Sequence, residues 1–178
     1  LNIQNMAIDS YQFLSERFLP ADLRIPYTSL AEDLVKRIEN VYQDVANIRT
    51  HGDCHIGNIM WRDNTAHFVD LDDCRAAPAV QDLWMMLSGD RQQQTLQLSE
   101  LMEGYDEFCD FNAAELRLIE ALRTMRMMHY AAWLGRRWSD PAFPRSFPWF
   151  NDNRYWADHI LELREQLAAL DEEPLTLF

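Results

Sequence analysis

The sequence predicts an α+β fold that is predominantly α-helical, with one small β-hairpin lodged in its middle. Three observations lead there. Apolar residues recur at helical spacing through residues 3–19, 29–45, 112–138 and 152–170, the 3.6-residue period that lines one face of a helix. Residues 58–71 break that period, because NIMWRD and AHFVDL alternate around Asp63-Asn64-Thr65, a turn flanked by strands. The length of 178 residues and a hydrophobic content of 48% suit one domain over residues 1–178, or one large lobe of a two-lobed protein.

Taken in order, Met6, Tyr11, Leu14 and Phe18 share a helical face, and Pro20 marks its stop. A short loop through Pro26 is expected next. Ser29-x-x-Glu32 reads as a capping box for a second helix carrying Leu34, Ile38, Val41, Tyr42 and Val45. Residues 48–50 are too short for a helix and read as extended. After the hairpin, helical patterns cover residues 80–88 and 92–109. Asn112-x-x-Glu115 caps the longest predicted helix, which runs to about residue 138. Its inward face would carry Leu116, Ile119, Leu122, Tyr130 and one or more of Met125, Met127 and Met128. SDPAFPRSFPWF is a proline-rich aromatic loop before the last helix. The sequence holds no internal repeat.

The formal charge is 16 − 29 = −13, which repels phosphate backbones and anionic lipid, so nucleic acid and membrane are excluded as partners. A nucleotide escapes that exclusion if divalent cations neutralise its phosphates. Cys54, Cys74 and Cys109 form an odd set without framework spacing, as expected for a reducing cytoplasm. No apolar run approaches the ~20 residues a membrane helix needs, and no signal peptide is visible. The chain opens on Leu1 rather than Met and enters a helical pattern at once, which reads as part of something longer.

The stretch HGDCHIGNIMW, residues 51–61, concentrates polar chemistry. Asp53 and Asn58 stand in the loop entering the first strand, and Asp70 stands at the exit of the second, followed by Leu71, Asp72 and Asp73. A hairpin brings its ends together, so Asp53, Asn58 and Asp70 should converge. A carboxylate plus an amide oxygen suits magnesium, which takes few protein ligands and completes its shell with phosphate oxygens and water. D-x-x-x-x-N followed by a strand turn and another Asp is the spacing of kinase-type phosphoryl transfer.

Taken together, HGDCHIGN-IMW, FVDLDD and AAPAVQDLW resemble the family of aminoglycoside phosphotransferases and choline kinases. The later run HYAAWLGRRW-SDPAF-P-FPWF resembles its bacterial stress response kinase group. The resemblance implies the C-terminal lobe of a protein-kinase-like fold that uses Mg²⁺ and ATP and phosphorylates a hydroxyl acceptor. Asp53 would be the catalytic aspartate, Asn58 a magnesium ligand and Asp70 the principal metal aspartate. His51 would brace the loop, and Asp82 would anchor its backbone from the following helix. His55 has either a packing or a catalytic part. Asp72 adds a third carboxylate, because Leu71-Asp72 stands where protein kinases have Phe-Gly.

Gly52 replaces the Arg that in many protein kinases receives an activation-loop phosphate, and Asp82 follows Asp70 by only twelve positions. Regulation by loop phosphorylation is therefore not expected. No glycine-rich phosphate loop, strand lysine or partner glutamate lies upstream of residue 51. The family carries these on an N-terminal lobe, missing from this chain, so residues 1–178 alone should be a poor kinase. The acceptor stays open between protein Ser/Thr and a small aminoglycoside-, choline- or homoserine-like molecule. A non-catalytic docking lobe is a further alternative.

Competing readings are bland or structural. G-D-x-H also occurs in metallophosphoesterases, but the upstream D-x-H and the N-H-E element they need are absent. Arg117, Arg123 and Arg126 step along one helix as a solvated face, with Arg126 the candidate to reach an acidic substrate. Trp133 and Trp138, within a dense aromatic set, could cage a cation; core packing explains them as well.

Overall fold

The structure is a computed structural model describing residues 1–177. In chain order its helices are α1 (Asp9–Arg17), α2 (Ala21–Val41), α3 (Arg91–Tyr105), α4 (Ile119–Arg136), α5 (Ala142–Ser146) and α6 (Asn153–Ala169). Its strands are β1 (Ile48–Thr50), β2 (Ile59–Arg62), β3 (Thr65–Phe68) and β4 (Arg75–Ala77). The chain divides into two units: Leu1–Gln43 with Glu120–Glu172, and Asp44–Ile119 with the residues from Glu173 onward.

The first unit is helical. A π-helical turn at Gln4–Ile8 leads into α1, and Pro20, extended at ψ 147, starts α2. The predicted loop through Pro26 does not exist: Pro26 lies inside α2, and Ser29 and Glu32 are mid-helix rather than at a cap. Proline there gives up one hydrogen bond, to the Asp22 carbonyl. Packing outweighs it, since Tyr27 and Ala31 are fully buried and Leu30 nearly so. The Ser15 and Thr28 hydroxyls, 3.1 Å apart, tie α1 to α2.

At 21 residues α2 is longer than α4 at 18. Leu122, Met125, Met128, Ala131 and Ala132 set the inward face of α4. Tyr130, expected inward, is 43% exposed, because two steps of ~100° turn it away from Met128. Asp152 caps α6 by accepting from the Arg154 N–H at 3.1 Å. Trp156 on that helix is buried, its ring 5.2 Å from that of Phe150.

The second unit carries two antiparallel pairs. The hairpin β2–β3 pairs Ile59 with Phe68 and Arg62 with Thr65. Asp63 and Asn64, both with positive φ (50 and 60), make the two-residue turn whose twist matches the strands. A second pair, β1–β4, sets Ile48 against Ala77 and Thr50 against Arg75. The fold therefore has one strand pair more than the single predicted hairpin. The predicted helix over residues 80–88 is instead two 3₁₀ turns, Ala79–Asp82 and Trp84–Met86. Val80, Leu98 and Leu118 are fully buried in this unit.

Candidate functional site

The two strand pairs are nested, and that nesting builds the site. β1 and β4 close the outside, β2 and β3 the inside, so the loops 51–58 and 69–74 are forced to face each other. The Val69 N–H donates to the Asn58 carbonyl at 3.0 Å, extending the hairpin ladder to the residue before Asp70. His51 then spans the gap. Its Nε2 lies 2.9 Å from the Val69 carbonyl, which can only accept, so Nε2 carries the proton. Its Nδ1 is left to accept the Asp53 N–H at 3.4 Å. One imidazole thus links the backbone of Asp53 to that of the Asp70 segment.

Asp82 holds the other side. Its carboxylate accepts the His51 N–H at 2.6 Å and the Gly52 N–H at 2.9 Å. Its neighbour Gln81 donates from Nε2 to the Gly52 carbonyl at 2.9 Å, so both the N–H and the carbonyl of Gly52 are fixed. Gly52 sits at φ +84, and a Cβ there would come 2.2 Å from the Asp73 carbonyl oxygen. Glycine is the one residue that meets both conditions. Gln81 was given no role from the sequence, and Glu115, expected in a capping box with Asn112, turns inward instead. Buried Glu115 accepts the Val80 N–H at 3.1 Å, while Asn112 alone caps the following turn. Asp82 itself works from a 3₁₀ turn rather than a helix.

Asn58 is 9% exposed. Its Nδ2 donates to the Asp53 carbonyl at 3.0 Å and lies 3.4 Å from Asp53 Oδ2, which leaves the amide oxygen as a donor toward a cation. Asp70 adopts the left-handed conformation at φ 63, ψ 65, a region uncommon outside glycine that Asp enters more readily than most residues. Asp72 lies exposed on the turn Leu71–Asp73, and Asp73 pairs with Arg75. Among the described residues no three His, Cys, Asp or Glu side chains gather to hold a metal by themselves. One carboxylate and one amide oxygen fit a hard cation that arrives with its own phosphate and water ligands.

Cys54, buried inside this loop, has its thiol pushed up to about 11 by burial and then by the Asp82 and Asp53 carboxylates, so it is no nucleophile at neutral pH. His55 Nδ1 accepts the Gly57 N–H at 3.0 Å, and its Nε2 stands 3.6 Å from Asp53 Oδ2.

Arg126, Trp133 and Trp138 belong to the first unit. Trp133 stacks on Tyr130 at 5.9 Å, meets Phe143 edge-on at 5.3 Å and has the Arg137 guanidinium 4.5 Å over its ring. That face is filled by the protein's own cation. Trp138 packs on Phe150 at 5.0 Å. Arg123 pairs with Glu120 at 3.1 Å and Arg117 donates to the Ala114 carbonyl.

An acid-laden loop with D-x-x-x-x-N, faced by an Asp beyond a hairpin, is the arrangement of a phosphotransferase. Residues 12–119 match the phosphotransferase enzyme family, and the chain belongs to that family. It is similar to stress response kinase A of Escherichia coli K12, 46% identical over 166 residues. It is also 45% identical to the Salmonella typhimurium protein named serine/threonine protein kinase RdoA. Each alignment takes in 93% of this chain and 50% of the relative, so the chain spans about half the length of the curated relatives it matches. No helix is long and apolar enough to cross a membrane among the described residues.

Proposed function

We propose that this chain is the C-terminal, catalytic-loop lobe of a two-lobed, magnesium-dependent cytoplasmic kinase that transfers the γ-phosphate of ATP to a serine or threonine hydroxyl. The nested strand pairs carry the reading, because they set Asp53 and Asn58 on one loop against Asp70 on the other. In this account Asp53 orients the acceptor hydroxyl and takes its proton. The oxygen bonds to the γ-phosphorus, the bond to the bridging oxygen breaks, and ADP leaves. The proton acceptor contributes roughly 10²–10⁴-fold, and the rest comes from positioning and charge neutralisation.

Asn58 and Asp70 would hold Mg²⁺, which when bound neutralises charge on the nucleotide phosphates. Asp53 remains the group that orients the acceptor. His51, Gln81 and Asp82 fix the loop, so no reorganisation is needed when substrate arrives.

An apolar surface supports a missing lobe. Ile48, Ile56, Met60, Trp61, Phe68 and Leu71 are each between 49% and 73% exposed, and all lie on or beside the two strand pairs. A nucleotide base and a second lobe would cover such a surface.

A small-molecule acceptor is the second reading, favoured by the short run from Asp70 to Asp82, which offers no peptide shelf. Calorimetric titration of Mg²⁺-ATP into the two-lobed enzyme tests the ligand assignment. Asp70→Ala should weaken binding at least about tenfold; unchanged affinity would remove Asp70 from the metal site.

A further inference from the structure

We propose that His55 is a positioning residue for Asp53, and that residue 57 is glycine because the His55 imidazole occupies the space a side chain there would need. The proposal rests on the assignment of Asp53 as proton acceptor. His55 Nδ1 accepts the Gly57 N–H at 3.0 Å. An accepting nitrogen carries no proton, so the neutral ring keeps its hydrogen on Nε2. Nε2 stands 3.6 Å from Asp53 Oδ2, and Asn58 Nδ2 lies 3.4 Å from the same oxygen. Asn58 Nδ2 hydrogen-bonds that oxygen, while the His55 N–H faces it from just beyond hydrogen-bond reach, so the imidazole bears on the rotation of the Asp53 head by packing and electrostatics. The Asp53 side chain is 18% exposed and that of His55 41%, so water screens the pair only in part.

Gly57 does not have the positive φ of Gly52 and Gly89, so its backbone conformation does not call for glycine. The space does. A Cβ at residue 57 would come 2.7 Å from His55 Cε1 and 2.9 Å from His55 Nδ1, with no other non-neighbouring atom within 4 Å. The obstacle is the tip of a half-exposed side chain. Alanine there would swing the ring aside at little stability cost and carry Nε2 away from Asp53.

His55→Ala, Gly57→Ala and the double variant, assayed in the two-lobed enzyme, form the test. Each single change should lower kcat about tenfold while KM for Mg²⁺-ATP stays within about twofold. The double variant should be no slower than the slower single, because both act through one ring. Thermal unfolding of Gly57→Ala should match the wild type. The imidazole nitrogen NMR spectrum gives a readout independent of turnover: wild type should show the Nε2–H tautomer, and Gly57→Ala should lose that preference. Multiplicative losses, an active Gly57→Ala enzyme, or an Nδ1–H tautomer in wild type would overturn the proposal. Full activity in Asp53→Asn would instead overturn the assignment of Asp53 itself, and the proposal with it.

Discussion

Asp53, Asn58 and Asp70 are held in place chiefly through backbone groups: His51 bridges Val69 to Asp53, Asp82 and Gln81 clamp Gly52, and Asn58 ties back to the Asp53 carbonyl. In the proposed reading, the carboxylate of Asp70 and the Asn58 amide oxygen are the groups that would meet the metal-nucleotide. Cys54 illustrates the cost of this dense setting for an ionisable group. With its thiol raised to about 11 by burial and two carboxylates, iodoacetamide at pH 8 should label the exposed Cys74 at least ~100-fold faster. Comparable rates, read by peptide mass mapping, would contradict that environment. The polar residues of this site were legible because their order, H-G-D-x-x-x-x-N and then D, survives in one dimension. Gln81 and Glu115 were not, because their partners Gly52 and Val80 lie 29 and 35 residues away. Glu115 also sat where a capping box would use it, and nothing local reveals that it turns inward.

At the scale of elements, local rules succeeded where the structure is local. The hairpin turn follows from Asp63-Asn64, whose side chains tolerate positive φ. Helices α3 and α6 lie where the periodicity over residues 92–109 and 152–170 puts them, starting from Asp90 and Asp152 caps that the periodicity did not mark. Local rules failed where tertiary packing overrides propensity. Pro26 was read as a breaker, yet buried Tyr27 and Ala31 hold α2 through it. The β1–β4 pair was also hidden, since three-residue strands 25 positions apart leave no periodic signal. If Pro26 is a tolerated loss rather than a support, Pro26→Ala should restore one helical bond. Stability should rise by about 1–3 kcal/mol, seen as a higher Tm in calorimetry. An unchanged or lower Tm would mean that proline's restriction of the unfolded chain outweighs the missing bond.

For the whole molecule, acidity and one buried base set the pH response. His159 is 4% exposed, stacked on Tyr155 at 5.8 Å, and its Nε2 finds no hydrogen-bond partner among the described residues. Burial lowers its pKa from 6.5 to about 4. The folded protein therefore binds fewer protons at this ring than the unfolded one between those values. Its share of stability is fully present above 6.5 and is lost as pH falls toward 4, on the order of 3 kcal/mol in all. Chemical denaturation across that range should show the loss, and His159→Gln should flatten it. An equal slope in both proteins would place the proton uptake elsewhere.

The same scale decides the function, since the chain spans about half of its kinase relatives. The decisive measurement is transfer of labelled γ-phosphate from Mg²⁺-ATP by the proposed two-lobed enzyme, beside its Asp53→Asn variant and this chain alone. Transfer by the wild type, a 10²–10⁴-fold loss in Asp53→Asn at unchanged nucleotide affinity, and little transfer by residues 1–178 alone are expected. Equal rates for wild type and Asp53→Asn, or full transfer by the chain alone, would contradict the account.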